Sequence, residues 1–514
     1  MASLQSTMSE QVKSSLSMQG WVSAAALLLT VAGASKGLGF LRELLLASYF
    51  GASGQVDAYT VAYAIPLFLA GGVGYAFSAG IIPGYHQKVV ECGHEAGTRF
   101  LGATCLSSLV WSLLLLIPVW FVPEILVELA APSLPDSTAR LAVDLMGWLA
   151  LYVLLLNMVY VLSAAFHALN HFRVPAASEL VFNLIALGVF VALVSRLEVR
   201  ALVIGNLVGI AACVFLLILA SLRAKSEWHG GMVQPEGIFN PLLASLPIAA
   251  YYVCSQFPSI LANYFAGGLD EGSIAAFSYA RTLLTAVVTL VTLSVARGAF
   301  PTFAILFSGG KREELRRFVT GLGKLVVLIF VPLSIVAVAY REPVLRALYQ
   351  RGVFDDAALQ LTATAFACLA IGLTFAAWEP VGIRALYAVG DARSPLLATI
   401  GSAGVLVPLL LVLTPVLGLG GVALSLSLAL AADGALQVFY LGRRLESSIW
   451  QDLALFFAKC TACALLAGGL LFMFPGTHFG VVIGGTFLFV CVYGFLVQRL
   501  VQSIRSIVSV VTAR

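Results

Sequence analysis

The sequence predicts an all-α polytopic membrane protein of fourteen transmembrane helices, and three observations carry that expectation. Of 514 residues, 60% are hydrophobic and only 11% charged, against roughly 45–50% and 25% in ordinary soluble domains. Crossing a bilayer takes about 20 consecutive apolar helical residues, and fourteen such stretches can be drawn. What is left over is scattered as short connectors, leaving no room for a soluble catalytic domain or nucleotide-binding fold. The net charge, 29 basic minus 25 acidic or +4, is too small to suggest a nucleic-acid partner.

Taken in order, the spans begin near Trp21, Val56, Phe100, Thr138, Ala177, Ala201, Phe239, Ser273, Phe318, Ala357, Pro395, Gly420, Leu453 and Phe479. Before the first, Met1 to Gly20 is polar and Ser-rich, and it does not read as a cleaved signal. Even-numbered connectors carry Lys88, Arg99, Arg173, Arg223, Lys225, Lys311, Arg312, Arg316, Arg317, Arg393, Arg443 and Arg444. Odd-numbered connectors carry only Arg140, Arg196, Arg200, Arg341, Arg346 and Arg351. Twelve against six places the even connectors, and with them both termini, in the cytoplasm.

The longest internal polar connector, Lys225 to Gly237, sets six spans before it and eight after. The two parts resemble each other. Ala47-Ser48-Tyr49-Phe50-Gly51 recurs as Ala262-Asn263-Tyr264-Phe265-Ala266. Ala168-Leu-Asn-His-Phe-Arg173-Val-Pro175 is echoed by Ala388-Val-Gly-Asp-Ala-Arg393-Ser-Pro395 at an offset of 220. Two six-span halves of equal orientation are parallel repeats, which predicts two lobes around a central cavity. The expected organisation is a cytoplasmic tail at 1–20, an N-lobe at 21–224, a cytoplasmic linker at 225–238, a C-lobe at 239–446, and an extra helix pair with its tail at 447–514.

No phosphate-binding loop, zinc-protease motif or nucleophile elbow is present, which argues against an ATP-driven pump or a hydrolase. Cys460 and Cys463 have C-x-x-C spacing with no second pair or nearby His, and His167 and His171 lack a third ligand. No metal or cofactor is expected. Attention falls on ionisable residues inside the spans, because each costs about 2.5–3.5 kcal/mol to insert at the bilayer centre.

The first span holds Lys36, Arg42 and Glu43. Lys36 and Glu43, seven apart, share a helix face, so they form either an internal ion pair or part of a substrate path. Asp57 opens the second span, where it serves as a binding acid or a start-of-helix carboxylate. Arg281 lies about nine residues into the eighth span with no carboxylate within a turn, and needs a partner on another helix or an anionic ligand. Glu379, before Pro380, and Arg384 fall in the tenth span; Glu379 is a proton or cation site, or else Arg384's partner across the proline.

Ser35-Lys36-Gly37-Leu38-Gly39-Phe40-Leu41-Arg42-Glu43 through Tyr49-Phe50-Gly51, then Val56-Asp57-Ala58-Tyr59, resembles the opening signature of the MurJ (MviN) lipid II flippases. Ser278-Tyr279-Ala280-Arg281, Tyr349-Gln350-Arg351-Gly352-Val353-Phe354-Asp355 and Arg384 through Pro395 are similar to that family's later motifs. The resemblance implies the multidrug/oligosaccharidyl-lipid/polysaccharide exporter fold with two six-helix lobes and a C-terminal helix pair. It further implies a flippase, not an enzyme, that moves an undecaprenyl-diphosphate-linked peptidoglycan precursor across the bacterial inner membrane by alternating access.

By that resemblance Lys36, Arg42 and Arg281 are the cavity cations and Asp57 a supporting acid; Arg384 is added as a substrate-binding candidate. Glu43 and Glu379 are candidates for coupling to an ion or proton. The sequence departs from the family pattern at Ala70-Gly71-Gly72-Val73, where an arginine is usual, and at Glu379-Pro380, where a lysine is usual. Those departures keep a second cargo in view, an exopolysaccharide or O-antigen unit on the same carrier, with a cation-coupled drug exporter behind it.

Overall fold

The structure is a computed structural model that describes residues 18–223, 246–445, 449–469, 471 and 479–512. Its helices, in chain order, are α1 (Met18–Phe50), α2 (Gly54–Cys92), α3 (His94–Phe121), α4 (Pro123–Ala130), α5 (Asp136–Ala168), α6 (Arg173–Leu197), α7 (Arg200–Arg223), α8 (Leu246–Ala266) and α9 (Ser273–Ser308). They continue as α10 (Arg312–Ala339), α11 (Arg341–Tyr349), α12 (Asp356–Ile371), α13 (Leu373–Ala388), α14 (Arg393–Leu417), α15 (Leu419–Arg444), α16 (Ile449–Gly468) and α17 (Phe479–Thr512). No strand occurs among the described residues.

Ten of these helices, counted over the described residues, are long and apolar enough to cross a membrane. An eleventh is added if α12 and α13, which meet at 49°, are taken as one broken span. At the break stands Gly372, where a Cβ would lie 2.8 Å from Ser427 Oγ and 2.9 Å from its Cα. Helix α15 therefore passes against bare backbone at that point, and Ser427 Oγ donates to the Cys368 carbonyl at 2.7 Å. The helices α4 and α11 lie in stretches read from the sequence only as connectors; Leu345 and Tyr349 anchor α11 by burial. The linker at 225–238 and the seventh span's start near Phe239 lie outside the described residues.

The chain divides into two compact units. The first comprises Met1–Glu43, Leu69–Phe121 and Gly147–Ser245. One part of its core joins Phe77, Ile81 and Tyr85 of α2 to Leu101 of α3 and to Val161, Ala164 and Ala165 of α5. Inside this apolar packing Asn157 is fully buried, and its amide donates to the Ser108 carbonyl at 2.9 Å and to Ser112 Oγ. Helices α6 and α7 touch backbone to backbone, since a Cβ at Gly205 would sit 2.6 Å from the Ala186 carbonyl oxygen and one at Gly209 2.8 Å from that of Phe182. Small residues at a helix crossing allow such contact, the usual way membrane helices associate without a hydrophobic driving force.

The second unit comprises Leu44–Phe68, Val122–Met146 and Leu246–Arg514. Here the C-terminal pair packs on α10: Phe456, Cys460 and Ala464 of α16 and Phe489 and Tyr493 of α17 join Val327 and Val331 in one buried cluster. Tyr493 donates to the Leu328 carbonyl at 3.2 Å, so its hydroxyl is satisfied within the apolar packing.

The offset of 220 seen in the sequence returns in the backbone. Helix α5 ends with Asn170 at φ 63° and α13 with Gly390 at φ 74°. In the first, the His171 amide bonds the Phe166 carbonyl and the Asn170 amide that of His167; in the second, Asp391 bonds Leu386 and Gly390 bonds Tyr387. Both are Schellman caps, residue for residue. Helices α6 and α14 run over Arg173–Leu197 and Arg393–Leu417, again 220 apart, and stop at Glu198 (φ 49°, ψ −135°) and Gly418 (φ 55°, ψ −132°). An identical pair of rare turns at a fixed offset is difficult to obtain from chance matching of apolar helices.

Candidate functional site

In the first unit the α1 cations meet a polar stripe on α6. Lys36 Nζ lies 3.1 Å from Glu179 Oε1, with side chains 70% and 47% exposed. Next to it Asn183 donates to Ser35 Oγ at 2.9 Å, and Arg42 donates to Asn206 Oδ1 of α7 at 2.6 Å with its guanidinium 5.9 Å from the centre of the Phe182 ring. Glu179, Phe182 and Asn183 share one helical face because they are three and four residues apart. Sequence reasoning left Glu179 unassigned and missed Phe182, Asn183 and Asn206. Two polar residues one turn apart within an apolar span, at 179 and 183, were the signal available. Glu43 is half-buried at the end of this stretch.

Asp57 belongs to the second unit. It is 3% exposed, and each carboxylate oxygen accepts a backbone amide at 2.7 Å, Oδ2 from Gly272 and Oδ1 from Ala275. These amides are at the start of α9, whose own cap residue, Gly272, offers no side chain. A carboxylate from α2 thus supplies the N-terminal cap that α9 lacks, in the location the helix dipole favours. The arrangement is reciprocal: Glu271 Oε1 accepts the amide of Gly54, the first residue of α2, at 2.9 Å.

The turn between α1 and α2 is fastened further. Tyr279 donates to the Gly51 carbonyl at 2.8 Å, and the Val353 amide donates to the Ser48 carbonyl at 3.0 Å. Glycine is needed at two of these contacts. Gly272 (φ 85°) and Gly352 (φ 61°) would place a Cβ 2.2 Å from the Ala52 carbonyl oxygen and 2.1 Å from that of Ser48. Beneath them Tyr279, Tyr349 and Phe354 pack with centroids 5.5 to 6.0 Å apart.

The remaining candidates also lie in the second unit. Arg281 is half-buried and donates to Ser259 Oγ of α8. Arg384 donates to the Pro380 carbonyl at 2.9 Å, one turn back on its own helix. Glu379 accepts from the Tyr251 hydroxyl at 3.4 Å. Asp433 of α15 is buried and accepts from Gln437 at 2.6 Å. The structure thus places Lys36 and Arg42 in one unit and Asp57, Arg281, Glu379 and Arg384 in the other. Among the described residues no cluster of three His, Cys, Asp or Glu side chains could hold a metal ion.

Residues 46–492 match a family model described as the lipid II flippase MurJ. The chain belongs to the MurJ family. The lipid II flippase MurJ of Burkholderia cenocepacia is 26% identical over 471 residues, 86% of this chain and 89% of that protein. A probable lipid II flippase MurJ of Thermotoga maritima is 24% identical over 400 residues, 77% and 80% of the two chains.

Among solved structures, one of a lipid II flippase MurJ in an inward closed conformation superposes with a TM-score of 0.80 at 21% identity, covering 93% of this chain and 99% of its own. An inward-facing multidrug resistance MATE family transporter of the MOP superfamily gives 0.64 at 14% identity, covering 81% and 96%. These two likenesses establish the fold. The family's chemistry is transport, in keeping with a chain built of apolar helices and short connectors.

Proposed function

We propose that this protein is a flippase that carries lipid II, the undecaprenyl-diphosphate-linked peptidoglycan precursor, from the cytoplasmic to the outer leaflet of the bacterial inner membrane by alternating access. The family match across residues 46–492 carries the assignment. The finer reading has fourteen spans, in two six-helix lobes around a central cavity with a C-terminal pair, and both termini in the cytoplasm. In that reading Lys36, Arg42, Arg281 and Arg384 hold the diphosphate. Guanidinium groups suit this work because they offer paired donors to phosphate oxygens.

Asp57 acts through the α9 terminus that it caps. Glu43 and Glu379 are the groups assigned to ion or proton coupling, with Glu379 standing where the family usually has a lysine. That replacement, with Ala70-Gly71-Gly72-Val73 in the second span, favours a second reading in which the cargo is another polyprenyl-diphosphate-linked glycan.

The test is replacement in a strain depleted of its own lipid II flippase, joined to a transport assay in vesicles with labelled lipid II and a competing O-antigen-type glycan on the same carrier. Restored wall synthesis and preference for lipid II are expected. Absence of rescue together with preference for the other glycan would overturn the cargo, and failure to move either would overturn the flippase.

A further inference from the structure

Lys36 stands fourteen residues before the end of α1 and Glu179 six after the start of α6, about 21 and 9 Å from those ends by the helical rise. Both charges therefore lie within apolar spans, where a charge without a partner is costly. The helices that carry them are held in register by a neighbouring amide. Asn183, one turn beyond Glu179, donates to the Glu179 carbonyl at 3.1 Å and to Ser35 Oγ at 2.9 Å. Ser35 is buried, and one turn along α1 a Cβ at Gly39 would stand 3.5 Å from Asn183 Oδ1.

One amide thus spans two turns of α1 and fixes the residue next to Lys36. Docking of α1 on α6 is carried by Asn183 and Ser35, while the Lys36–Glu179 pair beside them is exposed. An exposed pair adds little to stability, so its partners can be exchanged without loosening the helices.

The neighbouring cation has a different kind of partner. Arg42 donates to a neutral amide oxygen, Asn206 Oδ1, and lies near the Phe182 ring. A guanidinium so placed keeps its positive charge for an anion, whereas the Lys36 ammonium is already neutralised by a carboxylate of the protein. A diphosphate meets Arg42 directly but must take Lys36 from Glu179. Once it has done so, the Glu179 carboxylate faces an anion of its own sign.

We propose, taking Lys36 as a cargo cation as above, that Glu179 is the anion that cargo displaces and that returns to Lys36 to speed release. The residue weakens holding on purpose, since a carrier must bind well enough to load and loosely enough to unload. Glu179 is a specificity residue for the exchange, and Asn183 a positioning residue that keeps it opposite Lys36.

Equilibrium binding of undecaprenyl diphosphate to the full-length protein in nanodiscs, joined to turnover of labelled lipid II in vesicles, tests this. E179Q should bind undecaprenyl diphosphate about tenfold tighter, as expected when a charged contact to phosphate no longer has to break an ion pair. At saturating lipid II it should turn over several-fold more slowly, because release is held back. A merely structural role would lower both affinity and turnover. Glu179→Asp, its carboxylate drawn back by one methylene, should fall between, so the result does not rest on one variant.

In a K36Q background, which itself binds more weakly, the gain from E179Q should shrink to about twofold, the remainder due to plain repulsion. Undecaprenol, which has no phosphate, should bind to all variants alike. Unchanged or weaker binding by E179Q, undiminished turnover, an equal gain in the K36Q background or an equal gain for undecaprenol would each overturn the role of Glu179 while leaving the flippase reading in place. Binding of undecaprenyl diphosphate that K36Q leaves unaltered would overturn the cargo role of Lys36 and this proposal with it.

Discussion

Replacing Asp57 tests whether its carboxylate is the cap of α9. Asp57→Ala removes two amide bonds of 2.7 Å from a side chain only 3% exposed. Hydrogen bonds to a charged acceptor contribute about 1.5–3 kcal/mol each, and desolvation of the carboxylate offsets part of the sum, so a net loss of about 2–4 kcal/mol is expected. Asp57→Asn keeps one acceptor oxygen but turns an amide donor towards the other backbone N–H. It should lose about 1–2 kcal/mol, near a single cap. The measurement is the thermal melt of purified protein, with hydrogen exchange at Gly272 and Ala275 as the local readout. Exchange should quicken at those amides in both variants and remain unchanged along α16. A melt for Asp57→Ala within about 0.5 kcal/mol of the native value, the range of an ordinary surface change, would refute the capping argument.

Three further outcomes follow from the same geometry. Glu198 holds φ 49° and ψ −135°, where its counterpart at 418 is glycine; Glu198→Gly should stabilise the protein by about 1 kcal/mol, and Gly418→Ala, with open space around the new Cβ, should destabilise it through backbone strain alone, both read by melting. Burial pulls the Asp391 carboxyl upward, but the Ser394 amide, Arg444 and the Ser394 hydroxyl together hold it below its ordinary value of 3.8. Its contribution is complete above that value and lost as pH falls through the lower folded one, so acidification below about pH 4 should shift the native melt more than that of Asp391→Asn. Lys36 and Glu179 form an exposed pair, so Lys36→Ala should change stability by less than about 1 kcal/mol yet impair lipid II transport in vesicles; unimpaired transport would remove Lys36 from the substrate path.

The sequence read well where a single helix decides the outcome. Thirteen of the fourteen starts drawn from hydropathy fall within six residues of a described helix start, from Trp21 against Met18 to Phe479 itself. Apolar length is a property of one segment, and so is the α5 turn, whose repeat at offset 220 was visible in Arg173-Val-Pro175 and Arg393-Ser-Pro395. Partners were not legible. Lys36 meets Glu179 across 143 positions and Asp57 meets Gly272 across 215, and no periodicity links such residues. Asp57 stands in the first turn of α2, but it is buried there, and the helix it caps is α9, not its own. The short helix α11 was missed because its nine residues are too few to give a span and its buried side chains, Leu345 and Tyr349, find their contacts in tertiary packing.

Helices α1, α2 and α5 each run without interruption from one compact unit into the other, with the crossings after Glu43, Phe68 and Met146. At these three points the chain passes from one unit to the other within continuous helix. Each crossing has glycine close by: Gly39 four residues before the first, Gly71 and Gly72 just beyond the second, and Gly147 at the third. Glycine lowers the stiffness of a helix where it occurs. Each of these three helices therefore carries glycine within four residues of the point where it leaves one unit for the other.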